Sequence, residues 1–478
     1  MHKHLRLMFI LLLSGCAVGP DYQAPDLQTP ERFSESSGVA AFSATDEARF
    51  WGGFDDPMLA DLIQDVLNDN QDLQVALARY QRANALLGGR KSEQRPTIGV
   101  SASATSQHLP AAQRTPSGSG NANVERYEVS ANASWELDLF GQLHRASEAQ
   151  AARLDAAASE VNALRVSLAG EVAASYFELR GLQQQLAVAR DNVRIQRDSL
   201  DIVRSRLAAG RSTRFDARRA EAQLERTRAA LPQFEAEVRV RMHRVAVLTG
   251  RAPGELISQL AAPEPLPSAL PVIPPGTPGE VLRRRPDIRV AERQLAAATA
   301  SIGVATADLY PHFSLNALIG SVAINGGGLF TGSAETRSAG LGIDWSFLNF
   351  GRVRSRIDAA GADAQAALAN YRQVILDALE ETENRLVRYH RSRQRAERLA
   401  ASADAARDAA KLARMRYEQG YIGYFEVLDA ERERLDSENT LEQGRTASVL
   451  AMVNLYRALA GAPGRTRNDF AAISQATE

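Results

Sequence analysis

Residues 142–209 read QLHRASEAQAARLDAAASEVNALRVSLAGEVAASYFELRGLQQQLAVARDNVRIQRDSLDIVRSRLAA, sixty-eight residues with no proline and two glycines, Gly170 and Gly181. Apolar side chains recur at seven-residue steps through Val172, Leu179, Leu186, Val193, Leu200 and Leu207, with alanine at many positions between them. A hydrophobic repeat of about 3.5 residues marks a helix that winds on neighbouring helices. At about 1.5 Å per residue the predicted helix is roughly 100 Å long. It must reach across something larger than an ordinary domain.

The pattern occurs twice. A shift of 210 residues places Trp135-Glu-Leu-Asp-Leu-Phe-Gly141 on Trp345-Ser-Phe-Leu-Asn-Phe-Gly351, and Arg206-Leu-Ala-Ala-Gly210 on Arg416-Tyr-Glu-Gln-Gly420. The same shift places Asp216 on Glu426 and Ala252-Pro-Gly254 on Ala462-Pro-Gly464. Further upstream the offset is 215, pairing Asp72 with Asp287 and Pro96 with Pro311. A repeat of this size is a duplicated large unit, not a solenoid of 20–50-residue modules. Length alone would allow two or three domains, but the duplication argues for one fold built from two halves.

The period changes after Pro96. Ile98, Val100, Ala102 and Ala104 alternate with Gly99, Ser101, Ser103 and Thr105; Tyr127, Val129, Ala131, Ala133 and Trp135 alternate with Glu128, Ser130, Asn132 and Ser134. The second half repeats this with Phe313, Leu315, Ala317 and Ile319, then Leu341, Ile343, Trp345 and Phe347. Runs of about 10 residues with one apolar and one small polar face fit membrane β-barrel strands around a wet interior. The same runs also fit a soluble antiparallel sheet. Four strands cannot close a barrel with a lumen, and an open edge cannot sit in lipid. If they span a bilayer the chain must therefore oligomerise, and three chains would supply twelve strands.

Shorter elements frame these. Asp56-Pro57 reads as an N-cap followed by proline in the first turn, opening a helix with Leu59, Leu62, Ile63, Val66 and Leu67 on one face; a second helix is expected from about Asp72 to Gln94. The long helix turns at Gly210 and returns from about Thr213 to Thr249. Its counterpart runs from about Arg352 to Gln419, turns between Gly420 and Gly423, and returns to about Ala460. Seven prolines between Pro263 and Gly279 mark a linker.

The single cysteine, Cys16, follows a short basic segment (Lys3, Arg6) and an apolar one (Leu7 to Leu13), in Leu13-Ser-Gly-Cys16. This resembles a bacterial lipoprotein signal, cut before a cysteine that is then acylated; an ordinary signal peptide with an incidental cysteine is the other reading. Ala17 rather than aspartate follows, which by resemblance to enterobacterial sorting favours the outer membrane. Each buried acyl methylene contributes about 0.8 kcal/mol. Val18-Gly-Pro-Asp-Tyr22 with Pro25 and Pro30 reads as an extended tether.

Charges balance, 56 basic against 57 acidic for a net −1, so nothing global favours nucleic acid. The seven histidines are scattered without metal-ligand spacing. There is no Gly-rich phosphate loop after a strand and no nucleophile elbow. The chain is not read as an enzyme, and no cofactor is expected. A periplasmic coiled-coil scaffold lipoprotein without a pore would explain the helices and anchor, but not four amphipathic strands in symmetric pairs.

Cys16-Ala-Val-Gly-Pro-Asp-Tyr22, Phe50-Trp-Gly-Gly-Phe-Asp-Asp-Pro57, Leu282-Arg-Arg-Arg-Pro-Asp-Ile288 and Gly420 through Val427-Leu-Asp429 together resemble the TolC-like outer membrane factors, most closely their NodT-type lipoprotein branch. The resemblance spans nearly the whole mature chain. It implies a mixed, mainly α fold: a duplicated strand pair plus long helical hairpin, forming as a homotrimer a 12-stranded transmembrane β-barrel continued by a 12-helix periplasmic α-barrel with an equatorial belt. The expected divisions are a signal peptide (1–15), a lipidated tether (16–50), a first repeat (51–262), the proline-rich linker (263–279), a second repeat (280–464) and a tail (465–478).

The implied function is the exit duct of a tripartite efflux system, coupled to an inner membrane pump, usually of the RND class, through a periplasmic adaptor. A duct for type I protein secretion is the alternative. In the family the periplasmic tips close the channel, with acidic rings at the constriction. The matching gate positions are Tyr417, Glu426 and Asp429, with Asp216 as the first-repeat equivalent. Arg206, Gly210, Arg416 and Gly420 match the adaptor-contact turns, although glycine there also simply permits a tight turn. Some members lock the closed tip with an arginine where this chain has Ile422; Arg214 or Arg416 is expected to stand in.

Overall fold

The computed structural model describes residues 17–26, 30–35, 50–108, 110, 123–267, 270, 271, 277–324 and 326–459. Cys16, the leader, much of the tether and the C-terminal tail lie outside the described residues. The elements are α1 (Pro57–Asp69), α2 (Gln71–Glu93), β1 (Thr97–His108), β2 (Asn123–Leu137), α3 (Gln142–Ala208), α4 (Arg214–Leu248) and α5 (Ile257–Leu260). They continue with α6 (Pro278–Arg284), α7 (Pro286–Ala307), β3 (His312–Ala323), β4 (Glu335–Asp344), α8 (Phe350–Glu418) and α9 (Tyr424–Ala458). A shift of 210 lays the bounds of α4 on those of α9; a shift of 215 lays β1 on β3. No described helix is long and apolar enough to cross a membrane.

The chain forms two compact units, each drawing on both repeats. The first comprises residues 1–26, 79–157 and 290–372. It contains one four-stranded antiparallel sheet in the order β1-β2-β3-β4, with β1 and β4 as edges. The register puts Ile98 beside Ala133, Val100 beside Ala131, which pairs with Ile319, and Trp135 beside Leu315, which pairs with Leu341. One face is therefore apolar over β1, β2 and the lower part of β3 and β4, and it is open: Ile98, Val100, Leu315, Ile319, Leu341 and Ile343 are 46–79 % exposed, while Arg337, beside Ile319, and Glu335 bring charge to the β4 end of the same face. The other face pairs Ser101 with Ser130, their hydroxyls 2.9 Å apart, Gly99 with Asn132, and Ser134 with Asn316.

β4 ends at Asp344, short of the expected Trp345 and Phe347. The Trp345 indole instead donates to the Leu309 carbonyl at 3.1 Å, as the Trp135 indole does to Gln94 at 3.1 Å from within β2. The two acceptors are themselves 215 residues apart, so both strand pairs are tied in the same way to the end of a short helix.

The N-terminal segment in this unit is irregular, as its prolines require, but it is not loose. Buried Arg145 donates to the Val18 and Gly19 carbonyls at 3.1 and 3.3 Å and to Asp21 at 2.7 Å. Gly19, at φ +91°, lies so close to Gly303 that a Cβ on either would collide with the other segment. Tyr22 donates to Glu292 at 3.1 Å, and its hydroxyl pKa is pushed up to about 12, first by burial and then by the Glu292 charge.

The second unit comprises residues 27–78, 158–289 and 373–478. The predicted heptad positions of α3 point inward: Val172, Leu179, Leu186 and Leu200 are buried, and Val193 and Leu207 half-buried. Small residues allow close approach, since a Cβ on Gly181 would meet the Thr446 hydroxyl of α9. Asp56 caps α1 by accepting from the Leu59 amide at 3.1 Å, and its other oxygen accepts from the buried Tyr176 hydroxyl at 2.6 Å. Burial and that bond push the tyrosine pKa up. Phe50 stacks on Tyr456 at 4.3 Å and Phe54 packs on Phe177 at 5.0 Å. The Phe50–Pro57 string is thus a core plug. Each return helix ends against a side chain preceding a short helix: Asn70 donates to the Leu248 carbonyl at 2.8 Å, and Arg285, 215 residues on, donates to Ala458 at 2.9 Å.

Candidate functional site: the paired helix tips

Both long hairpins turn through a left-handed glycine, Gly210 at φ +69° and Gly420 at φ +83°. The amides of Gly210 and Arg211 donate to Leu207 and Arg206 at 3.0 and 2.7 Å; those of Gly420 and Tyr421 donate to Tyr417 and Arg416, both at 2.9 Å. This double bond pattern closes a helix C-terminus and favours glycine, which lacks the Cβ penalty.

The two tips meet within the second unit. Arg206 donates to the Tyr417 and Glu418 carbonyls at 2.6 and 2.8 Å, the last acceptors of α8, and its guanidinium lies 4.1 Å from the centre of the Tyr417 ring. A cation over a helix C-terminus and an aromatic face is favoured on both counts. Beneath it Leu200, Val203, Ala220, Leu224, Tyr417, Tyr424, Val427 and Leu428 form an apolar core, against which Ile422 packs. Ile422 thus serves the core, and at the turns themselves Arg206 bonds one hairpin to the other. Arg214 and Arg416 are exposed and make no ion pair among the described residues.

The acidic positions separate. Asp216 accepts from the Thr213 amide and hydroxyl at 3.2 and 2.7 Å and from the Ser212 hydroxyl at 3.3 Å, completing a capping box for α4. Its carboxylate serves its own helix end. At the second tip Gly423 is the N-cap, with no side-chain bond. Glu426 and Asp429 are both exposed and free of ion pairs among the described residues. Arg219, whose counterpart under the 210-residue shift is Asp429, stacks 5.4 Å from the Phe215 ring and 5.0 Å from the Phe425 ring. The two repeats therefore place opposite charges at one position.

Sequence reasoning missed the buried polar network just inside the tips. Arg434 pairs with Glu431 at 3.0 Å and Glu438 at 2.8 Å and donates to Asn192 at 2.5 Å. Arg414 approaches Glu431 at 3.5 Å and donates to Ser199 at 3.1 Å. The signal was partly present: Arg204 and Glu221, the counterparts of Arg414 and Glu431, also pair, at 3.7 Å. Leu224 stands where Arg434 does, so the pattern is not repeated in full. Among the described residues no three His, Cys, Asp or Glu side chains are set to hold a metal ion.

Burial, then the neighbouring Tyr417 and Glu431, push the Tyr424 phenol up from 10.0 to about 12. As pH rises past 10 the unfolded chain loses this proton first, so the tip loses stability between pH 10 and 12, on the order of 2 kcal/mol in all. Tyr424→Phe is expected to flatten that loss, read as thermal midpoints on either side of pH 10.

The fold built from this sheet and these hairpins is shared with solved outer-membrane channels. The family profile described as "Outer membrane efflux protein" matches residues 62–251 and 277–461, and the chain belongs to that family. It is 31% identical over 450 residues to nodulation protein T of Rhizobium leguminosarum bv. trifolii, covering 94% of this chain and 95% of that one. It is 27% identical over 466 residues to a probable outer membrane lipoprotein, SilC, of Salmonella typhimurium, covering 96% and 98%. The solved structure of the outer-membrane channel OprN superposes with a TM-score of 0.86 at 38% identity, over 93% of this chain and 99% of that one. The protein is a component of the bacterial outer membrane.

Proposed function

We propose that this protein is the lipid-anchored outer membrane exit duct of a tripartite efflux system, working as a homotrimer with a periplasmic adaptor and an inner membrane pump of the RND class. The observation that carries the reading is the open sheet: an exposed apolar face, a small polar face and two unpaired edges. An edge cannot remain open in lipid, and three copies joined edge to edge would give a closed barrel of twelve strands with its polar face inward.

The helices support the same assembly. Phe177 of α3 is 0 % exposed, whereas its counterpart Val387 on α8 is 36 % exposed, and Leu412, counterpart of half-buried Ile202, is 56 % exposed. In the trimer a neighbouring copy covers α8 as α9 covers α3, completing twelve helices. Ala17 packs against Gly141, which links β2 to α3; this favours acyl chains on Cys16 entering the same bilayer as the strands.

The tips form the gate. Tyr417 lines the joint, Glu426 and Asp429 form acidic rings at the constriction, and Asp216 stiffens the first tip through its cap. The turns at Gly210 and Gly420, with Arg206 and Arg416 beside them, receive the adaptor. Planar-bilayer conductance of the detergent-extracted protein, with its mass in the same detergent, tests the reading: discrete cation-selective steps from a trimer are expected, and a monomer without conductance would refute it. Glu426→Gln with Asp429→Asn is expected to lower cation preference severalfold; unchanged selectivity would remove both carboxylates from the constriction.

A further inference from the structure

Arg206 and Arg416 are counterparts under the 210-residue shift, yet among the described residues Arg206 alone of the two makes a hydrogen bond through its side chain. Its acceptors, the carbonyls of Tyr417 and Glu418, have Leu207 and Ala208 as counterparts at the first tip. That tip ends in the same way, with its glycine amide bonded to Leu207 as the Gly420 amide is to Tyr417. One chain therefore holds an arginine seated on its acceptors, and a second arginine together with a copy of the acceptor site that carries its glycine amide bond but no guanidinium. Within the chain the first tip's arginine reaches the second tip. The matching contact, from the second tip's arginine to a first tip, is not made among the described residues and is open to another molecule.

We propose that Arg416 caps the C-terminus of α3 in a neighbouring copy, donating to the carbonyls of the partner's Leu207 and the partner's Ala208. The proposal rests on the trimeric reading above and deepens it by naming the between-chain joint at the tips. The surroundings fit a second copy. Arg416 is exposed, Leu207 half-buried and Ala208 exposed, whereas the groups of the within-chain joint, Tyr417 and Tyr424, are 5 % exposed. A guanidinium is favoured at a helix C-terminus by the carbonyls and the dipole together. The two joints are not identical: Tyr417 offers Arg206 a ring, whereas the partner's Leu207 offers Arg416 none.

The test uses the full-length, detergent-extracted protein carrying Arg416→Cys and Ala208→Cys, treated with a short bis-maleimide and run on a denaturing gel. A ladder ending at covalent trimer is expected, with neither single variant giving one. Arg206→Cys with Glu418→Cys, the within-chain equivalent, should close on itself and remain a monomer, which confirms folded tips. If that control closes and the native mass is three chains while the Arg416/Ala208 pair stays monomeric, the proposed contact is wrong and the trimer stands. A native mass of one chain would overturn both.

Discussion

Arginine in place of Val100 is expected to cost up to roughly 2–4 kcal/mol per chain and to leave much of the protein uninserted, because in the proposed trimeric barrel it puts a charge on the face turned to lipid. Val100 is 78 % exposed and lies in one row with Ala131 and Ile319; its neighbours on that face of β1 and β2 are apolar, and the row reaches its charged end only at Arg337 on β4. The adjacent Ser101 points the other way, its hydroxyl on Ser130. Ser101→Arg should therefore insert almost as the parent does and alter conductance instead. The measurement is the urea-resistant fraction of each variant in lipid vesicles. If Ser101→Arg failed and Val100→Arg inserted normally, the two faces would have been assigned the wrong way round.

The second large effect is expected at Gly19. A Cβ there would sit 2.4 Å from the Gly303 Cα, and φ is +91°. Left-handed backbone disfavours a side chain by about 1–2 kcal/mol, and overpacking against main chain adds roughly 1–3 kcal/mol. Gly19→Ala should release residues 17–26 from the buried Arg145, raising hydrogen exchange in that segment while the sheet amides keep their protection. Gly303→Ala should act in the same direction, because its Cβ would lie 2.9 Å from the Val18 carbonyl. If residues 17–26 keep parent-like protection in both variants, the docking is not what the close approach suggests.

These two sites also mark where the sequence could and could not be read. The strand faces were legible from period-two alternation alone, and the register places the alternating residues in common rows. The long helices were legible because no proline interrupts residues 142–209, and their ends because only Gly210 and Gly420 fit the turns. The docking of residues 17–26 was not legible: local composition says that Val18-Gly-Pro-Asp-Tyr22 avoids helix and strand, and nothing local says that Gly303 lies against Gly19. At the tips, pairing Asp216 with Glu426 by position suggested one shared role. The distinguishing signal was three residues earlier, where Thr213 supplies a capping hydroxyl and Gly423 supplies none. Arg206 was read only as part of a turn, because a bond to the carbonyls of a helix 211 residues away leaves no mark on the local pattern.

The coincidence of α4 with α9 under a shift of 210 has a consequence for how this protein can change length. The two offsets differ by five residues, and that surplus falls wholly between the start of β1 and Trp135 in the first repeat, against the start of β3 and Trp345 in the second. The helical arms keep count like two rulers cut from one template, while the hairpins absorb the difference. Deleting one residue from α3 alone would turn everything beyond it by about 100° and carry Arg206 off the end of α8. Insertions and deletions in the arms are therefore expected to be tolerated only as matched pairs, one in each half, whereas the strand hairpins can take a change in length singly.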